Sequence, residues 1–277
     1  MDNGVLVVIG TGGMGIAITR RIGAGRTVLL ADFNETALDA VAETLRDEGH
    51  QIHTQAVDVS SRDSVRALAD AAAALGPVLQ VVHTAGLSPA QAPVEAILRV
   101  DLLGVALMLE EFARVVAPGA AGVVISSMSG HLMPALDSAT RGQIAQVAAA
   151  ELLSAPFAAA SNFPTSGIAY AFSKQANQIQ VQAASAAWGA KGARINSISP
   201  GVISTKMGRQ ELASPSGAGM RAMVDGSGTG RLGTPDDIAA AATFLLSDAA
   251  SFITGTDLLV DGGAVAAVAT GKVSLAG

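Results

Sequence analysis

The chain has 277 residues, 50% hydrophobic, 14% charged and 3% aromatic, with a formal net charge of −6 and no Cys. The apolar fraction excludes a disordered chain, and the missing Cys excludes disulfides, thiolate metal sites and a cysteine nucleophile. The acidic balance argues against nucleic acid or an anionic membrane as a partner, and no apolar run reaches the ~18 residues that span a bilayer.

Met1-Asp2-Asn3 has no basic stretch and a strand-like run follows at once, so the expectation is a soluble, cytoplasmic chain. That run, Val5 to Ile9, leads into Gly10-Thr11-Gly12-Gly13-Met14-Gly15 and then a helical pattern. Glycines let the backbone turn tightly and approach a pyrophosphate, which the free N–H groups of the next helix bind. A second strand is predicted over Thr27 to Ala31, and Asp32 ends it 22 positions after Gly10. The ribose-binding carboxylate of a dinucleotide site is expected after ~20 positions. Alone, the glycine turn or the acid reads as ordinary turn chemistry; strand, turn, helix and acid together favour a dinucleotide. A carboxylate there repels a 2′-phosphate, so NAD is expected over NADP, with Arg20, Arg21 and Arg26 the cations that would argue the reverse.

Asn34 caps a predicted helix with Leu38, Val41, Ala42 and Leu45 on one face, ended by Gly49. Strand-like Gln51 to Val57 follows, then a helix opened by Ser61 with Val65, Leu68, Ala69 and Ala72 facing inward. Val78 to Val82 and Val123 to Ile125 are the next strands. From 131 to 165 the rhythm breaks: Ser138 is expected to cap a helix running to about Ser154, with Ile144, Val147, Ala148 and Leu152 as its apolar stripe. Tyr170, the only Tyr, precedes Lys174 by one helical turn, so both lie on one face. A Tyr with pKa ~10 needs a nearby ammonium to act near neutrality. Strands over Arg194 to Ile198 and Leu258 to Val260 complete seven, and Thr234-Pro235-Asp236-Asp237 starts a late helix. Met207, Met220 and Met223 stand among Gly and Ser in 202–230, where adaptable Met side chains suit an apolar ligand or a plain core helix. His50, His53, His83 and His131 have no ligand spacing, so no metal is expected.

Continuous apolar strands alternating with helices predict an α/β fold: one Rossmann-type domain over 1–277, with a doubly wound parallel sheet of about seven strands between two helix layers. Few large rings are available, so Ala, Val, Leu and Ile must fill its core.

These segments, in this order, resemble the short-chain dehydrogenase/reductase family from Val5 to Gly263. Asp58-Val59 resembles the acid and neighbour that contact the adenine, and His83-Thr84-Ala85-Gly86 resembles an Asn-Asn-Ala-Gly strand end. Ile125-Ser126-Ser127 resembles the strand that delivers a catalytic Ser, here Ser127. Asn196 to Gly201 with Thr205 resembles the nicotinamide-carboxamide segment, and Arg231 to Pro235 and Asp261-Gly262-Gly263 resemble the C-terminal blocks. The resemblance implies catalysis by Ser127, Tyr170 and Lys174. It implies a cofactor cradle from the glycine loop, Asp32, Phe33, Asp58, Val59, Thr84, Ala85, Gly86, Tyr170, Lys174, Pro200, Gly201, Val202, Ile203 and Thr205.

Several departures stand out. The glycine loop is one residue shorter than usual, Ile9 replaces a Thr, and His83 and Thr84 replace both Asn. Asp101 stands where the family has a fourth catalytic Asn; it either accepts within a water relay from Lys174, raising the Lys pKa, or merely orders the helix backbone. Tyr170 follows Ser127 by 43 positions rather than roughly a dozen. Insertion-bearing bacterial 3α-hydroxysteroid dehydrogenase/carbonyl reductases share that layout, and Thr84 to Pro89, Val124 to Ser127, His131-Leu132 and Ala187-Trp188-Gly189 are similar to segments of theirs. The resemblance implies an NAD(H)-dependent interconversion of a secondary alcohol and a ketone on an apolar carbonyl or alcohol such as a steroid. It also implies a homotetramer, or a homodimer if the insertion covers an interface face instead of walling the substrate mouth. A 3-oxoacyl thioester reductase and a catalytically silent nucleotide-binding regulator are the alternatives.

Overall fold

A computed structural model describes residues 4–274; the leaderless start read at Met1 to Asn3 lies outside them. The seven strands are β1 (Val5–Ile9), β2 (Thr27–Asp32), β3 (Gln51–Ala56), β4 (Val78–His83), β5 (Val116–Ile125), β6 (Arg194–Pro200) and β7 (Asp257–Val260). All pair in parallel, in the order β3-β2-β1-β4-β5-β6-β7. Strand order reverses between β1 and β4, so the crevice beyond their C-terminal ends is where such sheets bind nucleotides.

The central strands feed two cores. Val5, Val7 and Ile9 belong to one buried cluster and Leu6 and Val8 to the other, as the two-residue period of a strand requires. On the second face lie α1 (Gly13–Ile22) and α2 (Glu35–Asp47). On the first lie α3 (Arg62–Leu75) and, after α4 (Val94–Ile97) and a π-helical turn over Leu98–Leu103, α5 (Gly104–Ala113). The short α6 (Ser129–Leu132) and α7 (Ser138–Gln146) precede α8 (Ser166–Gly189), also on the first face. After β6 come α9 (Lys206–Ala213), α10 (Gly217–Gly226), α11 (Pro235–Leu246) on the second face, and α12 (Ala264–Ala269) beyond β7. The sequence signals for helix starts are realised: Asn34 and Ser61 accept from the N–H groups of Ala37 and Ser64, and Thr234 and Asp237 form a capping box. The only Trp fills the first core, and its indole N–H donates to the Leu109 carbonyl at 3.2 Å. Its ring lies against Gly122 of β5, where a Cβ would sit 2.8 Å from it.

Two expectations are corrected. β5 begins at Val116 rather than Val123, because Pro118-Gly119 breaks the apolar run and shifts its register on β4 without ending the strand. The insertion is not one helix from Ser138 to Ser154. Asp137, not Ser138, caps α7, accepting from the Thr140 N–H at 2.9 Å, and α7 ends at Gln146. Three single 3-10 turns follow, over Leu152–Ser154, Pro156–Ala158 and Ala160–Asn162. The Ala149 N–H that would continue the helix donates to Glu110 of α5 at 2.8 Å. Of the expected stripe, Ile144 and Leu152 are buried and Ala148 is exposed. Ile144, Leu152, Ala158 and Phe163 pack on α4, the π-turn and α8, with the Phe163 and Phe172 rings 5.0 Å apart. The insertion therefore covers a helix face.

Candidate active site

The glycine loop turns at Gly10, whose φ is +99°. Side chains are excluded for a second reason: a Cβ at Gly10 would lie 2.6 Å from the Ala85 N, and one at Gly15 would strike the Gly10 carbonyl. Open space faces Gly12, which caps α1, so unpaired N–H groups of the first turn remain available to a pyrophosphate. Thr84, standing for a family Asn, ties the loop to β4: its hydroxyl donates to the Gly10 carbonyl at 2.8 Å. Asp32, at the end of β2, accepts from the Thr11 N–H at 2.7 Å and the Thr11 hydroxyl at 2.8 Å. Its other oxygen takes the Asn34 N–H at 3.0 Å, so the carboxylate is fixed beside the loop. Phe33 next to it is 77% exposed. Asp58 closes the turn before α3 through Ser60 at 2.7 Å, and Val59 is buried against Gly104. On the far side Thr205 caps α9 and reaches Gly13, while Gly201 lies against Asp261 where a Cβ would be 2.7 Å from its Cα. A cradle without side chains beside a fixed carboxylate fits a dinucleotide.

Ser127 leaves the end of β5, and Tyr170 and Lys174 stand on α8. The two segments approach closely because α6 carries Gly130, where a Cβ would lie 2.8 Å from the Gln175 N. Ser126, missed by sequence reasoning, adds a clamp: its hydroxyl donates to the Lys174 carbonyl at 2.7 Å. Ser127 and Tyr170 line one cavity, and the Ser127 hydroxyl donates to Ser129 Oγ at 3.2 Å. The Lys174 ammonium lies 5.3 Å from the Tyr170 ring centre and 3.0 Å from Asp101 Oδ1. Asp101 is delivered by the π-turn, whose wider bonding has the Gly104 N–H reaching back to Arg99. It also accepts from the Leu87 N–H at 3.1 Å. Asp101 therefore meets Lys174 directly and does more than order the helix backbone.

Charges follow from this burial. Desolvation raises the Asp101 pKa against the pull of Lys174. At Lys174 desolvation works downward, yet the Asp101 carboxylate and the phenol outweigh it and the pKa is raised. Tyr170 also departs upward: burial pushes its pKa above the usual phenol value, Lys174 opposes, and Asp101 adds to the rise. Lys174 pulls this phenol downward as expected from the sequence, but burial, with Asp101 adding to it, outweighs that pull in the protein alone. His83, fully buried on β4, is held neutral with a pKa lowered to about 3 by burial and the Lys174 charge.

A cavity of about 370 Å³ opens between Ser127, Tyr170 and the segment 200–205. Its walls are mostly apolar, with Met128, Met133, Met207, Met220 and Met223 prominent. The Met residues of 202–230 thus serve on α9 and α10 as cavity wall, and Met223 is also buried against α12. Residues 137–163 do not line it. Glu211 on α9 does, and sequence reasoning missed it; the only signal was an acid among Met, Gly and Ser. Among the described residues no cluster of His, Cys, Asp and Glu is placed to hold a metal ion, and no helix is long and apolar enough to cross a membrane.

The family model described as Enoyl-(Acyl carrier protein) reductase matches residues 8–140 and 143–265. A short-chain dehydrogenase/reductase, bsc3, of Alternaria brassicicola is 39% identical, with 96% of this chain and 97% of the relative covered. D-Threitol dehydrogenase of Mycolicibacterium smegmatis is 31% identical, with 95% and 93% covered. A solved short-chain type dehydrogenase/reductase from Mycobacterium ulcerans is 25% identical and matches with a TM-score of 0.74 over 98% of this chain and 94% of that one.

Proposed function

Because the chain belongs to the short-chain dehydrogenase/reductase family, we propose that it interconverts a secondary alcohol and a ketone with NAD(H), on an apolar substrate of which a steroid or another bulky carbonyl compound is the type. It is an oxidoreductase of the alcohol dehydrogenase/ketone reductase kind. The observation that carries the finer reading is the convergence of Ser127, Tyr170 and Lys174 at one Met-walled cavity beside the glycine loop.

A nicotinamide cofactor held by the glycine loop and 200–205 would supply the hydride chemistry. Tyr170 Oη takes the hydroxyl proton in oxidation and donates a proton to the carbonyl oxygen in reduction. Ser127 donates to that same oxygen and orients it. Lys174 holds positive charge beside the phenol, and Asp101 holds Lys174. Asp32 favours NAD over NADP, since its carboxylate repels a 2′-phosphate and Arg20 is engaged by Glu48 at 2.6 Å. Glycine loop, Asp58, Val59, Ala85, Gly86 and 200–205 complete the cofactor contacts in this reading. The chain forms one domain and a homo-oligomer, a dimer or a tetramer.

The test is a ketone and alcohol panel run with NADH/NAD and NADPH/NADP in parallel. Turnover of a bulky apolar ketone, at least about tenfold more efficient with NADH, supports the reading. NADH binding with no turnover across the panel contradicts it and favours a silent nucleotide-binding regulator.

A further inference from the structure

Among the residues that line the cavity, Glu211 alone carries a formal charge. The helix that bears it explains why. On α9, Met207 and Gly208 stand four and three positions before Glu211, so the three share one face, and that face lines the cavity. Lys206 and Arg209 fall on other sides of the same helix and are exposed. The carboxylate is also fixed in place. Its Oε1 accepts from the Ala90 N–H of the β4–α4 loop at 2.9 Å, and Gln91 of that loop donates to Gln210 at 2.9 Å. None of the ion pairs among the described residues includes Glu211. The walls nearest to it on α9 and α10 include Met207, Met220 and Met223, whose thioethers offer no donor. Its charge reaches the reaction centre, where it adds to the rise of the Tyr170 pKa.

An unpaired carboxylate at an apolar wall acts on a ligand more strongly than one in open water, because less solvent lies between the charges. The cation nearest the reaction centre, Lys174, does not cancel it, since Lys174 is already neutralised by Asp101 at 3.0 Å. The cavity therefore holds an uncompensated negative charge. A substrate with an ammonium remote from the reacting carbon gains an opposite charge and an acceptor for its N–H groups. A neutral substrate gains neither, and a carboxylate meets like charge. We propose that Glu211 determines specificity by charge: the enzyme prefers secondary alcohols and ketones that carry an amine at their remote end, and rejects carboxylates. It is then a dehydrogenase of amino alcohols, or a reductase of amino ketones, with an apolar body between the amine and the reacting carbon. This rests on the alcohol/ketone reading of the site above.

The test uses three cyclohexanols that carry, across the ring from the reacting hydroxyl, an aminomethyl, an ethyl or a carboxylate group. At a pH of about 7 the first is a cation and the last an anion. Steady-state kcat/KM is measured for the whole chain with NAD, and binding to the NADH-loaded protein is measured by calorimetry. Charge selection requires the amine to exceed the ethyl compound and the ethyl compound the carboxylate, with about tenfold or more between the extremes. Glu211→Gln keeps an acceptor for the Ala90 N–H and removes only the charge, so the amine-to-carboxylate ratio falls about tenfold while the melting temperature holds. Asp225→Asn removes one negative charge from an exposed position of α10 that does not line the cavity, and its ratio stays at the wild-type value. Turnover without this order overturns the charge selection and leaves the alcohol/ketone reading standing. So does a ratio that Glu211→Gln leaves in place, or that Asp225→Asn shifts as far. Binding in this order without turnover overturns that reading and leaves the charge selection standing. Neither the order nor turnover overturns both.

Discussion

The Lys174 ammonium and the Asp101 carboxylate lie 3.0 Å apart and both are shut away from solvent. That contact makes the site electrically different from one holding a neutral Asn at the same place. Asn would leave the ammonium free to favour phenolate at Tyr170; ionised Asp opposes that effect.

Replacing Asp101 with Asn is therefore expected to lower the Tyr170 pKa, since the carboxylate is one of the causes holding it up. Oxidation needs the phenolate, so its rate rises with pH through that pKa, and the rising limb moves to lower pH in Asp101→Asn. Reduction needs the phenol, so its falling limb moves the same way. Both limbs are read from pH profiles of kcat/KM in each direction. Limbs that stay in place, or move upward, contradict the role given to Asp101.

Removing one partner of the pair without a polar replacement has a different cost. Asp101→Leu leaves a buried ammonium uncompensated and is expected to destabilise the fold by about 3–5 kcal/mol. Equilibrium urea unfolding measures it, and a loss below about 1 kcal/mol would mean that Lys174 finds water or another partner.

How much of this was legible beforehand differs from residue to residue. The caps at Asn34, Ser61 and Thr234 were readable because capping is local chemistry, set by one side chain and the next turn. The glycine loop was readable because strand, turn and helix all announce it. The start of β5 was not, because Pro118-Gly119 interrupts an apolar run that pairing with β4 nevertheless carries through. The end of α7 was not, because the group that stops it, Glu110, comes from a helix about forty positions earlier. The upward direction at Tyr170 needs the burial of three groups together, which spacing along one helix cannot show. Glu211 joins a cavity whose walls come from distant segments, and no local pattern marks it.

Glu111 gives the fold a pH dependence of its own. Arg66, Arg62 and Arg114 surround it, and hydrogen bonds from these guanidiniums hold its pKa down from 4.5 to about 2 although burial pushes the other way. A depressed carboxylate stabilises the fold above its unfolded value and loses that contribution as pH falls toward its folded value. Stability is therefore expected to drop between pH 4.5 and about 2, and Glu111→Gln to flatten that part of the profile while lowering stability at neutral pH by on the order of 2 kcal/mol. Thermal unfolding across that range checks it; an unchanged slope in the variant would place the acid sensitivity elsewhere.

Phe163 fixes the insertion to α8 through its contact with Phe172 and is itself buried. Phe163→Ala is expected to cost about 3 kcal/mol in stability. Because residues 137–163 do not line the cavity, kcat/KM measured well below the melting temperature stays within about twofold of wild type. A selective loss of activity in a folded variant would mean that the 137–163 part of the insertion shapes the substrate site after all.

Asp32 is the element of cofactor choice that a single change can probe. Asp32→Ser keeps a hydroxyl near Thr11 and removes the charge. The NADPH-to-NADH ratio of kcat/KM is expected to rise about tenfold or more, read from parallel titrations of both cofactors. An unchanged ratio would assign the choice to another residue.

The central claim is that Tyr170 moves the proton. Tyr170→Phe keeps the ring packed on its neighbours and removes only the hydroxyl, so it separates chemistry from structure. The measurement is single-turnover reduction of an accepted ketone by the NADH-loaded variant, with NADH affinity and melting temperature recorded on the same sample. The expected result is a loss of about 10²–10⁴-fold in the chemical step with NADH still bound and the fold intact. Reduction at the wild-type rate by that folded, NADH-loaded variant would contradict the claim.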